Sequence, residues 1–282
     1  MRVLVTGARG QLGYDVVKEL TRRGHEAVGV DKEEMDITDE KSVKDYLGTA
    51  QAEAVIHCAA YTAVDAAESN VDLVRKINVD GTRFIAEVCK AQDIPMMYIS
   101  TDYVFDGNGE TPWEPNAHRD PVNVYGQMKY EGELVMEELV SKRYIVRISW
   151  VFGENGKNFV RTMVGLGKKL GKVSVVADQF GSPTYTADLA VLLCDMIETD
   201  KYGTYHATNE GICSWYDFAK EIFVQAGLDV EVTPVGSDAF PTAAKRPLNS
   251  RMSKDKLDEM GFHRLPTWQD ALSRYVKTLT DC

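Results

Sequence analysis

An apolar run, Val3-Leu4-Val5, passes directly into Thr6-Gly7-Ala8-Arg9-Gly10-Gln11-Leu12-Gly13 and then into a helical stretch from Tyr14 to Arg23. This order of strand, glycine-rich turn and helix limits the fold more than any other stretch. A strand that is apolar on both faces needs cover on both, and a helix following it at once begins a parallel βαβ unit. In such a turn Gly7 permits the tight bend, Gly10 lets a pyrophosphate approach the backbone, and Gly13 lets the helix pack against the strand. The helix N-terminus offers unpaired N–H groups and the positive end of its dipole, both suited to phosphate. A glycine string of this kind is only a turn in other settings. Between a first strand and a first helix it predicts a dinucleotide site.

The next strand, Ala27 to Val30, ends at Asp31, about twenty residues past the glycines, where a carboxylate can accept the ribose hydroxyls of NAD and repel a 2′-phosphate. Arg9, inside the glycine turn, and Lys32, next to Asp31, could each pair with that phosphate, so NADH and NADPH both remain open. Asp36-Ile37-Thr38-Asp39 leads into a helical pattern from Glu40 to Leu47, with Thr38 the expected N-cap; in a fold of this kind Asp36 and Ile37 lie against the adenine. Glu53 to Cys58 reads as the third strand and runs into Ala59-Ala60-Tyr61-Thr62, small residues against which a ligand can lie. From Ala66 to Gln92 apolar residues fall along one side of a long helical pattern, and the amide of Asn78 inside it is read as structural.

Met96 to Ser100 is the next strand, and Thr101 stands at its carboxyl end, where open α/β sheets place their chemistry. A long loop, residues 107–123 with three prolines, precedes Tyr125-Gly126-Gln127-Met128-Lys129. On a helix that spacing puts phenol and amine on one face, where the ammonium can pull the phenol pKa down and make a general acid or base. Tyr144 to Ile148 is a further strand. Strand and helix alternate six times up to Gly153 in this reading, which calls for an α/β, Rossmann-type, doubly wound parallel sheet. Residues 1–150 are expected to bind the dinucleotide. Residues 151–282, less regular, read as a smaller mixed α/β substrate domain, with part of 184–208 returning to the first sheet.

A formal net charge of -11 argues against nucleic-acid or anionic-membrane partners, and no apolar run is long enough to span a bilayer. The stretch Met1 to Gly7 lacks the longer apolar core and cleavage site of a signal peptide. Five cysteines at irregular spacing fit reduced thiols in a cytoplasmic protein, with no metal site among them.

Taken together, the glycine turn, Thr101 and the Tyr125–Lys129 pair resemble the short-chain dehydrogenase/reductase superfamily in its extended, nucleotide-sugar-modifying branch. Ile99-Ser100-Thr101-Asp102-Tyr103-Val104-Phe105, Trp150-Val151-Phe152-Gly153, Asp178 to Thr184, Ser214-Trp215-Tyr216 and Lys245 to Ser250 are similar to the dTDP-4-dehydrorhamnose reductase family, over essentially the whole chain. The resemblance implies reduction of a C4 ketone on a dTDP-sugar, the last step of dTDP-L-rhamnose synthesis. Tyr125 would give the proton, Lys129 would hold the nicotinamide ribose and tune the tyrosine, and Thr101 would bond the substrate carbonyl. Gly7, Gly10, Gln11 and Leu12 would border the pyrophosphate, Asp31, Asp36 and Ile37 the adenosine, and Ala59, Ala60 and Thr62 the cofactor's middle. Asp102, Tyr103 and Trp150 would face the sugar, and Arg246 the diphosphate. A magnesium ion at an oligomer interface, with Asp15 near it, is also implied for some members; monomer and homodimer both stand open. Two other readings accompany this one: a reductase or epimerase acting on another nucleotide sugar, and a non-catalytic dinucleotide-binding regulatory subunit.

Overall fold

Val3 and Val5 face one side of the first strand and Leu4 the other, so burial of all three requires a helical layer on each side. The computed structural model, which describes residues 1–280, meets that requirement. Strand β1 (Arg2–Thr6) is followed by helix α1 (Gln11–Arg22), then β2 (Glu26–Val30), α2 (Glu40–Thr49), β3 (Ala54–His57), α3 (Gly81–Gln92), β4 (Met96–Thr101), α4 (Val124–Leu139) and β5 (Arg143–Ile148). The sheet has six strands, all parallel, in the order β6-β5-β4-β3-β1-β2, where β6 is Gly203–His206. The alternation therefore runs five times before Gly153, not six. The sixth strand comes later because the chain leaves the sheet after β5: Val151–Phe152 pairs instead with Thr184–Tyr185.

One apolar layer joins α1 to α6 (Thr186–Ile197), entered after α5 (Phe159–Leu170); the other joins α2, α3 and α4. The strand order reverses between β1 and β3, and at such a switch point the loops at the carboxyl ends part to leave a crevice. Two local expectations change. Asp39, not Thr38, caps α2, accepting from Lys41 N, because Thr38 is occupied by the Asp36 carboxylate. The stretch from Ala66 to Gln92 is not one helix: it breaks into Val64–Ala67, Val71–Arg75 and a π turn at Lys76–Asp80 before α3. That wide turn aims Asn78 at the chain after β3, where its amide both accepts from Tyr61 N at 2.8 Å and donates to Tyr61 O at 3.1 Å.

The second half packs α5, α7 (Trp215–Gln225) and α8 (Trp268–Thr280) around Phe152, Phe218 and Tyr275. A reciprocal Ser214–Asp217 capping box starts α7. Lys172–Val176 and Glu231–Val235 form a separate parallel pair. No helix among the described residues is long and apolar enough to cross a membrane. None of the described His, Cys, Asp and Glu side chains form a group of three that could hold a metal. The magnesium expectation thus finds no support, and Asp15 is turned inward to accept a hydrogen bond from Thr186. Cys282 lies outside the described residues.

Candidate active site

The crevice is built by close backbone approach. Gly7 has φ +67° and sits so near the end of β3 that a Cβ there would lie 2.8 Å from Ala59 N. A Cβ on Gly13 would fall on the carbonyl oxygen of Gly7. Thr6 Oγ1 ties the two strand ends, bonding His57 Nδ1 at 2.7 Å and accepting from Ala59 N at 3.1 Å. The N-cap of α1 is Gly10, with no side-chain cap and no acidic residue in the first turn. The helix therefore keeps its N-terminal N–H groups for an anion.

Gly7, Gly10, Gln11, Leu12, Asp31, Ala59, Ala60 and Thr62 line one cavity of about 490 Å³ together with Thr101, Asp102, Tyr103, Tyr125, Lys129 and Trp150. Asp36 and Ile37 line an adjoining cavity of about 240 Å³ that shares Gly7, Asp31, Ala59 and Ala60. Arg246 stands apart from Tyr125, in a third cavity of about 540 Å³ in the second half, which the shared Tyr103 joins to the first.

Asp31 Oδ2 accepts from Arg9 N at 2.8 Å, and the Arg9 guanidinium is engaged by Glu33 at 2.6 Å and Glu34 at 2.5 Å. The cation that the sequence offered to a 2′-phosphate is thus already paired, at an exposed position where such pairs are cheaply exchanged. Lys32 is exposed and lies 3.8 Å from Asp36.

Helix α4 carries Tyr125 and Lys129. Asn123 caps it, accepting from Gly126 N at 2.8 Å, and anchors it to the second half by donating to Lys245 O at 2.8 Å. A Cβ on Gly126 would fall on Tyr103 O, so the glycine between Tyr125 and Gln127 lets α4 press against the turn Asp102–Val104. Lys129 is buried, with its ammonium 3.9 Å from the centre of the Tyr98 ring. Burial pushes its pKa down to about 7, against the pull of Glu133. Burial pushes the Tyr125 phenol up, and Asp102 adds to the rise. The expectation that Lys129 draws this phenol down is not met, because desolvation outweighs it and the ammonium lies over Tyr98.

Two residues were not foreseen. Glu133, one turn beyond Lys129 on the same face, is buried and fully bonded: it accepts from Ser100 at 2.6 Å, from Arg147 at 2.8 Å through each oxygen, and from Arg119 at 2.9 Å. The continuing four-residue spacing from Tyr125 through Lys129 was a legible signal for it. Trp215 stacks on Trp150 with ring centres 3.7 Å apart. One face of Trp150, a residue held at φ 50°, is therefore covered by protein, and only the rest of the ring is open to the cavity. Nothing local in the sequence signals that stack. Arg246 donates to Tyr103 Oη at 3.0 Å and to Asp65 at 2.6 Å.

A glycine turn at the switch point of a parallel sheet, facing a strand-end threonine and a helical tyrosine–lysine pair, defines a Rossmann-type oxidoreductase of the short-chain dehydrogenase/reductase class. The chain belongs to the RmlD substrate binding domain family, matched over residues 1–281. It is similar to the crystal structure of dTDP-4-dehydrorhamnose reductase from Bacillus anthracis in complex with NADP: 43% identity, 98% of this chain and 99% of that one, TM-score 0.96. It is 39% identical to the dTDP-4-dehydrorhamnose reductase of Aggregatibacter actinomycetemcomitans, covering 96% of this chain and 97% of the relative. It is also 36% identical to a dTDP-4-keto-6-deoxy-D-glucose reductase of Streptomyces niveus, over 97% of this chain and 96% of that one.

Proposed function

We propose that this chain catalyses NAD(P)H-dependent reduction of the C4 ketone of dTDP-4-dehydro-L-rhamnose to dTDP-L-rhamnose. The observation that carries the reading is the meeting of Thr101, Tyr125 and Lys129 with the glycine turn in one cavity, in a chain matched along its length by reductases of that name. The site suits a dinucleotide: a cradle that any Cβ at Gly7 or Gly13 would fill, an uncapped helix N-terminus, and a carboxylate at Asp31. The bound nicotinamide supplies the hydride. Gly7, Gly10, Gln11 and Leu12 border the pyrophosphate, Asp31, Asp36 and Ile37 the adenosine, and Ala59, Ala60 and Thr62 the middle of the cofactor.

Thr101 donates to the C4 oxygen and stabilises the charge that gathers there. A phenol whose pKa is raised stays protonated near neutrality, the state a donor needs, and Tyr125 passes its proton to the alkoxide. Lys129 holds the ribose hydroxyls and, when protonated, stabilises the phenolate. Asp102, Tyr103 and the open part of Trp150 bound the sugar. Residues 151–282 mainly receive the substrate, apart from the return to the sheet at β6. The dTDP group lies in the third cavity, where Arg246 exchanges its bond to Asp65 for the diphosphate. Described cysteines that are all free suit a reducing compartment such as the cytoplasm.

The test is to mix the protein with NADPH or NADH and dTDP-4-dehydro-L-rhamnose, and separately with dTDP-4-keto-6-deoxy-D-glucose, following nicotinamide absorbance and identifying the sugar formed. Oxidation with neither nucleotide on the first sugar would sink the proposal. Faster turnover of the second sugar would assign the chain to that substrate instead.

Both nucleotides bind, in this account, and Asp31 tilts the choice toward NADH. Asp31→Ala should shift the ratio of NADPH to NADH affinity toward NADPH by about tenfold, the size of one lost charge interaction near 1.4 kcal/mol. Titration by fluorescence checks it; an unchanged ratio would mean that Glu33 and Glu34 set the preference.

A further inference from the structure

Asp102 has a carboxyl group that hydride transfer and a single proton donor leave unused. It is buried on the wall of the cavity that holds Tyr125 and Lys129. Its Oδ1 accepts the Thr101 hydroxyl at 2.9 Å, while Oδ2 is buried with no hydrogen-bond partner among the described residues. A bare carboxylate oxygen in an interior is costly, and a proton on it removes the charge. Thr101 also approaches the Tyr125 phenol, so one hydroxyl stands between the phenol and the carboxyl.

The groups facing Asp102 come from three elements. Tyr125 and Lys129 project from α4, Tyr103 follows in the same turn with its hydroxyl tied to Arg246, and Ser250 approaches from the C-terminal segment. Burial pushes the Asp102 carboxyl up to about 6, with Ser250 and Thr101 holding it from rising further.

We propose that Asp102 is an internal proton store that recharges Tyr125 through the Thr101 hydroxyl. The inference rests on the reductase reading. Hydride reaches C4 from the nicotinamide and the Tyr125 O–H bond breaks as its proton passes to the C4 oxygen. The Thr101 hydroxyl then turns from Asp102 Oδ1 to give its proton to the phenolate, and Thr101 Oγ1 takes the proton of the Asp102 carboxyl once that carboxyl has rotated to present its O–H to Thr101. Asp102 ends as a carboxylate and regains one proton from solvent after the product leaves. One hydride and one proton enter the sugar per turnover, and no other co-reactant is needed.

The wild type should lose kcat as pH rises through the Asp102 pKa, because only the acid form recharges the phenol. Lys129, pushed to about 7, titrates in the same direction, so two variants assign the limb. Asp102→Asn should lower kcat by about ten- to a hundredfold, change KM for the ketosugar little, and remove the Asp102 limb, while NADPH binding by fluorescence stays near wild type. Ser250→Ala keeps the acid but removes a group that stabilises its anion, and should move that limb to higher pH. A kcat within about twofold of wild type with an unchanged profile in Asp102→Asn, or a limb that does not move in Ser250→Ala, overturns the proposal. If Asp102→Asn fails to bind NADPH, the Ser250→Ala profile alone decides. Wild-type turnover with no effect of either variant rejects the proton store and leaves the reductase standing; no wild-type turnover rejects the reductase.

Discussion

Tyr125→Phe should cut kcat by about a thousandfold or more, within the range general acid catalysis supplies, and leave affinity for NADPH and for the ketosugar within roughly threefold. The phenol is the one acid placed on α4 opposite Thr101, half-buried at the cavity wall. Its ring also packs edge-on against Tyr103, with centres 5.6 Å apart, a contact that phenylalanine preserves. The loss should therefore appear in turnover and not in folding. Steady-state kinetics with a fluorescence titration of cofactor separates the two. If turnover survived, the proton would have to come from another group, and Asp102 would be the first to test. A regulatory subunit that binds a dinucleotide without catalysis would make the substitution nearly silent.

The parts of this site that could be read from residues alone are those fixed by short spacing. A glycine turn between strand and helix, a carboxylate at the end of the second strand and a tyrosine and lysine one helical turn apart are local facts, and backbone geometry converts each into a direction. The doubly wound sheet was legible for the same reason, since alternation of strand and helix leaves few topologies. What escaped depends on residues distant in sequence. The sixth strand is set by where Val151–Phe152 finds a partner, and Trp150 lies under Trp215, 65 positions later by residue number. The direction of the Tyr125 shift was misjudged because it follows from how much water the packed site excludes, which spacing does not contain. Arg246 was placed on a phosphate from its chemistry, whereas the fold also hands it Asp65 and Tyr103.

Lys129→Met should abolish most activity, about a hundredfold or more, and at the same time make the protein harder to unfold. The ammonium is buried over Tyr98 with no carboxylate among the described residues bonded to it, since Glu133 is saturated by Ser100, Arg147 and Arg119. Its pKa falls from 10.5 to about 7, which means that the folded chain prefers the neutral amine. Below pH 7 the lysine is charged in both folded and unfolded chains, and the full cost of burying that charge weighs on the fold. Above 10.5 it is neutral in both, and the cost is gone. Methionine removes the charge at every pH and keeps the length of the side chain. The gain should thus be largest below pH 7, on the order of 1–3 kcal/mol after the lost contact with Tyr98, and should shrink as pH rises toward 10.5. Thermal melts at pH 6 and pH 10 check the sign: the variant should melt higher at pH 6, with a smaller difference at pH 10. Equal melting at both values would show that the ammonium is not a burden to the fold. A lower melting point at pH 6 would show that its contact with Tyr98 is worth more than its desolvation. Under the proposed mechanism the ammonium kept at this cost stabilises the phenolate left on Tyr125, so stability surrendered at Lys129 is the thermodynamic counterpart of the rate lost in Tyr125→Phe.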